Sequence, residues 1–287
     1  MMGDHSSIDM PRSEEGVQTE KTPLLHKGSD PVRKLSTKKK NHADGSKSFL
    51  GTEDVEKFDA VGRALVAEFL GTMLLVVVGC GACVGSDVAQ PTTLSIALAF
   101  GFIIASVVQM IGHISGAHIN PAVTIGLLAC GRIGLIMSIL YIPFQLAGAV
   151  AGAALLQYLV PELKKDAIGV VSVGAGLTEG QAFAVEAVIT AVLLLVVCAV
   201  TDPNRSDLAN SAPVAIGLAI ACSHIFAVPL TGSGMNPARS FGPAAMVGQW
   251  DNQWIYWVAP LVGAACAGAV YRIIFRAPKD DDSSYDL

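Results

Sequence analysis

Six long apolar segments, each close to twenty residues, constrain the fold of this chain more than any other feature of its sequence. Crossing about 30 Å of hydrocarbon takes roughly 20 helical residues. Each segment is apolar on most of its faces, which is typical of a helix surrounded by lipid and by neighbouring helices. The predicted membrane spans are residues 60–83, 92–112, 134–159, 180–200, 212–230 and 253–276.

The composition supports a membrane protein and argues against several other classes. Apolar residues make up 52% of the chain and charged residues only 15%, whereas soluble domains carry about 25% charged residues. The net charge of −5, without a basic folded face, argues against a nucleic-acid partner. The sequence offers no nucleophile–base set, phosphate-binding loop or metal-ligand spacing. We therefore predict an all-α membrane protein that is not an enzyme and needs no cofactor or metal.

Two further apolar segments, residues 121–130 and 237–247, are too short to cross the bilayer. About ten helical residues at 1.5 Å each reach only ~15 Å, which is half of the membrane. We predict that both are re-entrant half-helices. Both begin with the same tripeptide, as Asn120-Pro121-Ala122 and as Asn236-Pro237-Ala238.

The chain contains an internal repeat. Glu68 precedes Asn120 by 52 residues and Glu186 precedes Asn236 by 50, each glutamate lying in the first span of its half. Because each half has three spans, the second half must be inverted in the membrane, and interrupted helices in an inverted repeat are typical of a midplane pore. The predicted organisation is a disordered tail 1–59, a channel domain 60–276 with repeats of about 60–159 and 180–276, and a tail 277–287.

The Asn-Pro pair predicts how each half-helix begins and what it offers to a pore. Asn is a favoured N-cap, and Pro suits the first helical position. With the side-chain oxygen engaged in the cap, we expect the NH₂ groups of Asn120 and Asn236 to stay free to donate to a pore water. Each half-helix also brings the positive end of its dipole to the centre, which would repel cations. The residues before each motif are tolerable only where they line a wet cavity.

With both motifs intact, the chain resembles the aquaporin (major intrinsic protein) family from about residue 60 to 276. The resemblance implies a passive, water-selective channel that is a homotetramer with one pore per subunit. Its outer constriction would consist of Phe100, His224, the carbonyl region at Ser233, and Arg239. The first half has Val123 where the second has Arg239, and an arginine within a membrane segment is by default functional.

The family resemblance also implies roles for buried polar residues. Glu68 and Glu186 would hold the backbone N–H groups of the re-entrant loops, with a proton path as the alternative. His118 would be a pore-lining or gating residue at the inner mouth, with a loop histidine satisfied by backbone groups as the alternative.

Other functions remain as alternatives to a water channel. Glycerol-conducting relatives place a small residue at the position of His224 and Asp directly after the motif's Arg, whereas this chain has His224 and Ser240. A protein of this fold that serves as a scaffold at cell junctions, with little flux, would be favoured if residues of the outer constriction (the selectivity filter) were replaced, and they are not. An ion-coupled transporter would need a charged pair within the spans, apart from the two glutamates.

The distribution of basic residues predicts the orientation. Most lysines and arginines fall in segments that share one side, and only Lys164 and Lys165 lie in loops on the other, so both termini should be cytosolic. The sequon at Asn204 would then stay unglycosylated. We expect a plasma-membrane protein. An acidic dileucine at Leu24 and Leu25 would bind a sorting adaptor and give an endosomal pool, and Ser36 matches a basophilic kinase site.

Overall fold

The computed structural model describes residues 49–52, 58–86, 89–205, 207 and 211–278, and within them the regular secondary structure is helical. In chain order the α-helices are α1 Phe58–Leu75, α2 Thr93–Ser115, α3 Pro121–Cys130, α4 Leu135–Leu159, α5 Glu179–Val200, α6 Ala212–Thr231, α7 Pro237–Val247 and α8 Ile255–Val270. Two π-helical turns, Val76–Cys80 and Tyr271–Phe275, extend α1 and α8, and Glu162–Lys164 forms a 3₁₀ turn. The prediction of an all-α membrane fold is confirmed.

Six helices of the described part are long and apolar enough to cross a membrane, which makes the chain a multi-pass membrane protein. They are Phe58–Cys80, Thr93–Ser115, Leu135–Leu159, Glu179–Val200, Ala212–Thr231 and Ile255–Phe275. The half-helices α3 and α7 have the predicted bounds. The predicted and observed bounds of the full-length helices differ most at the C-terminal ends of the first two spans, by three residues each. The second continues through the polar residues after Gly112 and ends where Gly116 adopts φ +83°, a conformation that favours glycine.

Local sequence signals explain where several helices start. Thr92 and Ser95 form a capping box at the start of α2, and Thr178 and Gln181 form another at the start of α5. In each, the threonine hydroxyl accepts a backbone N–H while the other side chain accepts the threonine's own N–H. These two helices therefore enter the membrane with their first-turn donors satisfied.

The helices pack so that each half-helix is held by the opposite half. The full-length helices pair as α1 with α4, α2 with α6, and α5 with α8, while α3 packs on α8 and α7 packs on α4. Glycines permit the closest approaches. A Cβ at Gly268 would lie 2.1 Å from the carbonyl oxygen of Gly126 in α3, and one at Gly148 would lie 2.2 Å from that of Phe69 in α1. No larger residue fits at either crossing without moving the backbone.

The folded part begins before the predicted boundary at residue 59. The N–H groups of Leu135 and Ile136 donate to the carbonyls of Phe49 and Leu50, at 2.9 and 3.3 Å, which satisfies donors at the start of α4. Helix α1 itself begins at Phe58. The sequence features at Leu24, Leu25 and Ser36, the sequon's Ser206, and residues 279–287 lie outside the described residues.

Candidate functional site

A cavity of about 710 Å³ runs through the helix bundle between the two halves of the chain. Asn120 and Asn236 lie in its wall. Its remaining lining includes Phe100, His224 and Arg239 at what we name the constriction end, and Arg132 and Thr201 at what we name the Arg132 end. The two motif asparagines, three of the four predicted filter residues, and His118 thus share one cavity.

Each half-helix begins as the Asn-Pro pair predicts. Asn120 has extended backbone, and its side-chain oxygen accepts from the N–H of Ala122 at 2.8 Å. The side-chain oxygen of Asn236 accepts from the N–H of Ala238 at 2.9 Å and from that of Arg239 at 3.3 Å. Pro121 and Pro237 occupy the first helical positions, where the missing N–H costs no hydrogen bond.

The amide groups of the two motif asparagines are less free than the sequence suggested. Nδ2 of Asn120 donates to the carbonyl of Met235 at 3.0 Å, and Nδ2 of Asn236 donates to the carbonyl of Ile119 at 2.8 Å. One hydrogen of each NH₂ group therefore joins the two halves of the chain. A second acceptor for either group is not found among the described residues, which leaves one hydrogen per amide for a molecule in the cavity.

The loops before the motifs adopt a strained conformation that turns their carbonyl groups. Ala117 and Ile119 have φ of +50° and +45°, and Ser233 and Met235 have +56° and +54°. Each such residue other than glycine costs about 1–3 kcal/mol and persists only when its surroundings enforce the conformation. The same alternation in both loops indicates that a common set of contacts imposes it.

Glu68 imposes this conformation on the first loop. Its carboxylate accepts hydrogen bonds from the hydroxyl of Ser115 at 2.6 Å, the N–H groups of His118 and Ile119 at 2.9 and 2.6 Å, and Nε2 of Gln145 at 2.8 Å. The residue is fully buried. The buried carboxylate thus satisfies two backbone N–H groups of the loop, those of His118 and Ile119, which are otherwise costly to bury.

Glu186 does the same for the second loop. It accepts from the hydroxyl of Thr231 at 2.6 Å and from the N–H groups of Gly234 and Met235, both at 2.8 Å. It too is fully buried. Neither glutamate belongs to the described residues that line the cavity, so this geometry favours a supporting role over a proton path.

The constriction end brings together three of the predicted filter residues. The rings of Phe100 and His224 stack with centroids 4.4 Å apart. Cζ of Arg239 lies 4.9 Å from the centroid of Phe100, within the range of a cation–π contact. All three side chains are at least 97% buried. A bulky aromatic pair and one fixed positive charge therefore line this end of the cavity.

Arg239 is held by a residue that the sequence did not suggest. Its Nη1 donates to the carbonyl of Gly169, in the segment between α4 and α5, at 2.6 Å. Gly169 has φ +79°, and a Cβ there would lie 2.8 Å from Cβ of Cys80, so the position requires glycine. Nε of Arg239 is buried without a partner among the described residues.

One ring nitrogen of His224 is bound to the backbone of its own helix. Its Nδ1 lies 3.0 Å from the carbonyl oxygen of Ile220, and because a carbonyl can only accept, Nδ1 carries the hydrogen. The neutral ring then offers Nε2 as an acceptor, and this atom has no partner among the described residues. In this neutral state Arg239 is the donor at the constriction and His224 the acceptor.

Ser233 lies beside the cavity rather than in its described wall. It is fully buried, and its Oγ has no partner within the described chain. The neighbouring Gly234 and Met235 line the cavity instead. The predicted role of the carbonyl region at Ser233 in the constriction therefore stays a prediction.

His118 lines the same cavity, and it also lines a second, smaller cavity together with Arg132. Its Nδ1 is 3.1 Å from Oγ1 of Thr124, and its ring meets that of Tyr141 edge-on at 5.1 Å. The Thr124 hydroxyl donates to the carbonyl of Asn120, so towards His118 it must accept. This Nδ1 contact is therefore with a side chain, and the two predicted roles of His118 both stay open.

The sequence profile described as Major intrinsic protein matches residues 55–271. The chain belongs to the major intrinsic protein family. It is 43% identical to aquaporin-4 of Mus musculus over 220 residues, which are 75% of this chain and 68% of that protein. It is 41% identical to aquaporin-1 of Homo sapiens over 227 residues, which are 77% of this chain and 84% of that protein.

A solved structure shares the fold. The aquaglyceroporin from Plasmodium falciparum superposes with a TM-score of 0.69 at 26% identity, covering 75% of this chain and 97% of that one. The inverted repeat and the two half-helices of this major intrinsic protein thus have an experimental counterpart.

Sequence reasoning missed several groups that support the pore loops of this major intrinsic protein. The hydroxyl of Tyr141 donates to the carbonyl of Ser115 at 2.9 Å, and that of Tyr256 donates to the carbonyl of Thr231 at 2.7 Å. The sequence contained a signal for both pairs. The two tyrosines follow the motif asparagines of their halves by 21 and 20 residues, and Ser115 and Thr231 each precede the asparagine of their half by five residues. Extending the repeat comparison beyond the glutamates would have found both pairs.

Proposed function

We propose that this major intrinsic protein is a passive water channel, driven by osmotic gradients, that excludes protons and other ions. The observation that carries the proposal is the constriction of Phe100, His224 and Arg239 at the end of a cavity that also holds both motif asparagines. The chain acts as a channel and not as an enzyme.

The polar groups along the cavity suit water. A water molecule at the centre accepts from the remaining hydrogens of Asn120 and Asn236, and carbonyls of the strained loops accept from its neighbours. Such groups replace lost hydration at low cost. A water that accepts from both asparagines donates poorly along the file, which interrupts proton transfer.

Cations meet a barrier that neutral water does not. The guanidinium of Arg239 is fixed by Gly169 at the constriction, and α3 and α7 point their positive N-terminal ends at the cavity centre. A cation that enters would also lose its hydration shell. Both effects act on charge, and neither opposes water.

Glycerol is the less favoured permeant. The stacked rings of Phe100 and His224 occupy space that a three-carbon solute would need. The relatives of 41–43% identity carry the name aquaporin, while the matched protein named aquaglyceroporin is 26% identical. Both observations favour water over small neutral solutes.

The setting of the channel is part of the proposal. The basic residues support cytosolic termini, which puts the Arg132 end on the cytosolic side and the constriction outside. The channel domain, residues 60–276, resides in the plasma membrane as a homotetramer with one pore per subunit. The tail 1–59 carries the sorting signal at Leu24 and Leu25, which supports an endosomal pool, and 277–287 forms the second tail.

The test is osmotic shrinkage of proteoliposomes, followed by stopped-flow light scattering in parallel water and glycerol gradients. The wild type should pass water rapidly and glycerol no faster than empty vesicles do. His224→Gly removes one ring of the stacked pair and should admit glycerol. Phe226→Leu, on the same helix but 53% exposed, is the matched control and should leave both rates unchanged.

Two results would overturn the proposal. Water rates equal to those of empty vesicles, for folded and incorporated wild type, would exclude an open water channel. Glycerol flux through the wild type, unchanged by His224→Gly, would favour the small-solute alternative and remove the constriction as its determinant.

A further inference from the structure

One buried carboxylate joins three separate segments at the Arg132 end of the cavity. Asp202 lies in the loop after α5 and is 3% exposed. Its Oδ2 accepts from the hydroxyl of Tyr271 at 2.7 Å and from the N–H of Ala277 at 3.2 Å. Its Oδ1 accepts from the N–H of Asn204 at 3.1 Å and lies 3.5 Å from Nη2 of Arg132.

Arg132 connects this carboxylate to the cavity. It follows the glycine that ends α3 and lines the cavity together with Thr201. Its guanidinium donates to the carbonyls of Thr201 and Cys198 at the end of α5. A cation is favoured at the carbonyl ends of helices, but these neutral acceptors leave its charge without a counter-ion. Within the described chain, Asp202 supplies that counter-ion.

We propose that Asp202 is a positioning residue of the pore: it holds the Arg132 side chain against the cavity wall and couples that wall to the chain segment after α8. The inference rests on the proposed water-channel function and adds a residue that does not itself line the cavity. Tyr271 and Ala277 belong to the end of the last helix and the segment after it, so this part of the chain shares the carboxylate with the pore wall.

Loss of the carboxylate has a defined consequence for the cavity. Arg132 has a long side chain that is 14% exposed, and without Asp202 it keeps only carbonyl acceptors among its described partners. The freed guanidinium can then reach into a passage that carries water in single file, and it obstructs that passage. Water flux should therefore fall because of Arg132, and not because the fold is lost.

This arrangement has no counterpart at the other end of the cavity. The glutamates of the two halves are 118 positions apart, and the same offset matches Asp202 to Val84. Arg132 and Gln249 each follow the glycine after a half-helix and donate their N–H to a carbonyl five residues back. The same backbone turn therefore follows both half-helices, but among the described residues an arginine–carboxylate ion pair is found only after the first one, between Arg132 and Asp202.

The test compares unit water permeability of Asp202→Ala, Arg132→Ala and the double variant in proteoliposomes, normalised to folded, incorporated channels. Asp202→Ala should lower permeability about threefold or more, which matches the coupling expected for contacting charged residues. In the Arg132→Ala background the same change should have almost no effect. Asp207→Ala removes an exposed partner of Arg205 and is the matched control, with no expected change.

Either of two results would contradict the inference. One is wild-type permeability for Asp202→Ala, and the other is an equal proportional loss in both backgrounds, which would indicate a merely structural role. If Asp202→Ala does not fold, Asp202→Asn keeps an oxygen acceptor while removing the charge, and the same dependence on Arg132 is required of it.

A second readout does not depend on water flux. Cys198, next to the Arg132 contacts, is fully buried, and Cys80 in the π turn after α1 is an equally buried reference. Labelling of Cys198 by N-ethylmaleimide, followed by mass spectrometry, should accelerate severalfold in Asp202→Ala through local opening, while Cys80 stays unchanged. Unchanged Cys198 labelling would overturn the inference even if the wild type passed no water, so its failure is distinguishable from that of the proposed function.

Discussion

The two halves of the chain support their pore loops alike but present different side chains to the pore. In each half a buried glutamate accepts from the loop backbone and from a hydroxyl at the end of the preceding helix. In each, a tyrosine hydroxyl binds that helix end. Three residues after the motif asparagine, however, stands Val123 in one half and Arg239 in the other. The residues that support the pore loops are therefore different from the residues that distinguish one side of the pore from the other.

The supports differ in one respect. Gln145 gives Glu68 a fourth donor and also donates to the hydroxyl of Thr124 at 3.0 Å, which contacts His118. The corresponding place in α8, counted from the tyrosines, is Pro260, which has no side-chain donor. The supporting carboxylate of the first loop is therefore itself bound to α4, whereas among the described contacts that of the second loop has no such bond to α8.

The largest expected effect comes from removing the supporting carboxylates. Glu68→Leu removes four hydrogen bonds to buried donors and Glu186→Leu removes three, and each backbone N–H left unpaired costs about 1–3 kcal/mol. Both variants should lose most of their folded yield, Glu68→Leu more so. Fluorescence-detected size-exclusion chromatography in detergent measures this, with Phe226→Leu as the control. Equal yields to wild type would show that the loops do not depend on these acids.

A change of the residue that differs between the halves should affect permeation more than folding. Arg239→Val removes the fixed charge and should raise cation leak by about tenfold or more, since a desolvated guanidinium contributes over 1.4 kcal/mol to the barrier. Val123→Arg places a charge where no counterpart of the Gly169 carbonyl is described, and it should block water flux. A cation-leak assay in vesicles tests the first variant, and a water-flux assay in vesicles tests the second. A conducting Val123→Arg would show that the halves are interchangeable.

Much of the fold was readable from the sequence because the decisive signals are local. Apolar length gives the six spans, and the Asn-Pro pairs give the half-helix starts. The carbonyl of Gly169 was not predictable, because a backbone acceptor in a long loop has no side-chain signature. The acceptor face of His224 depends on which carbonyl lies within reach of Nδ1, and only the folded helix decides that.

The matched tyrosines should give a smaller effect that tests the symmetry of the scaffold directly. Tyr141→Phe and Tyr256→Phe each remove one buried hydrogen bond to a backbone carbonyl and should each cost about 1 kcal/mol. Thermal unfolding in detergent should show similar decreases in Tm for both. A marked difference between the two decreases in Tm would mean that the two tyrosine hydrogen bonds stabilise the protein unequally despite their similar lengths.

The smallest expected effect appears only on acidification and concerns the ion pair of Asp202 with Arg132. Burial alone would raise the pKa of Asp202, but hydrogen bonds from Tyr271, Asn204 and Ala277 and the charge of Arg132 hold the pKa below its ordinary value. Its stabilisation is therefore present above the ordinary aspartate pKa of about 3.9 and is lost as pH falls through the lower folded value. Wild type should lose more Tm than Asp202→Asn across that acid range. Parallel Tm curves would exclude this contribution.

The reciprocal amide bonds between the halves have a consequence for how the protein is made. A ribosome-bound chain that has inserted its first three spans, which end at Leu159, already contains Asn120 and the carbonyl of Ile119, but their partners, Met235 and Asn236, lie 76 and 77 residues further along the chain. Polar groups in hydrocarbon are costly to leave unpaired. The two reciprocal bonds can therefore form only after most of the second half has been synthesised, which makes the joining of the two loops a late event in assembly.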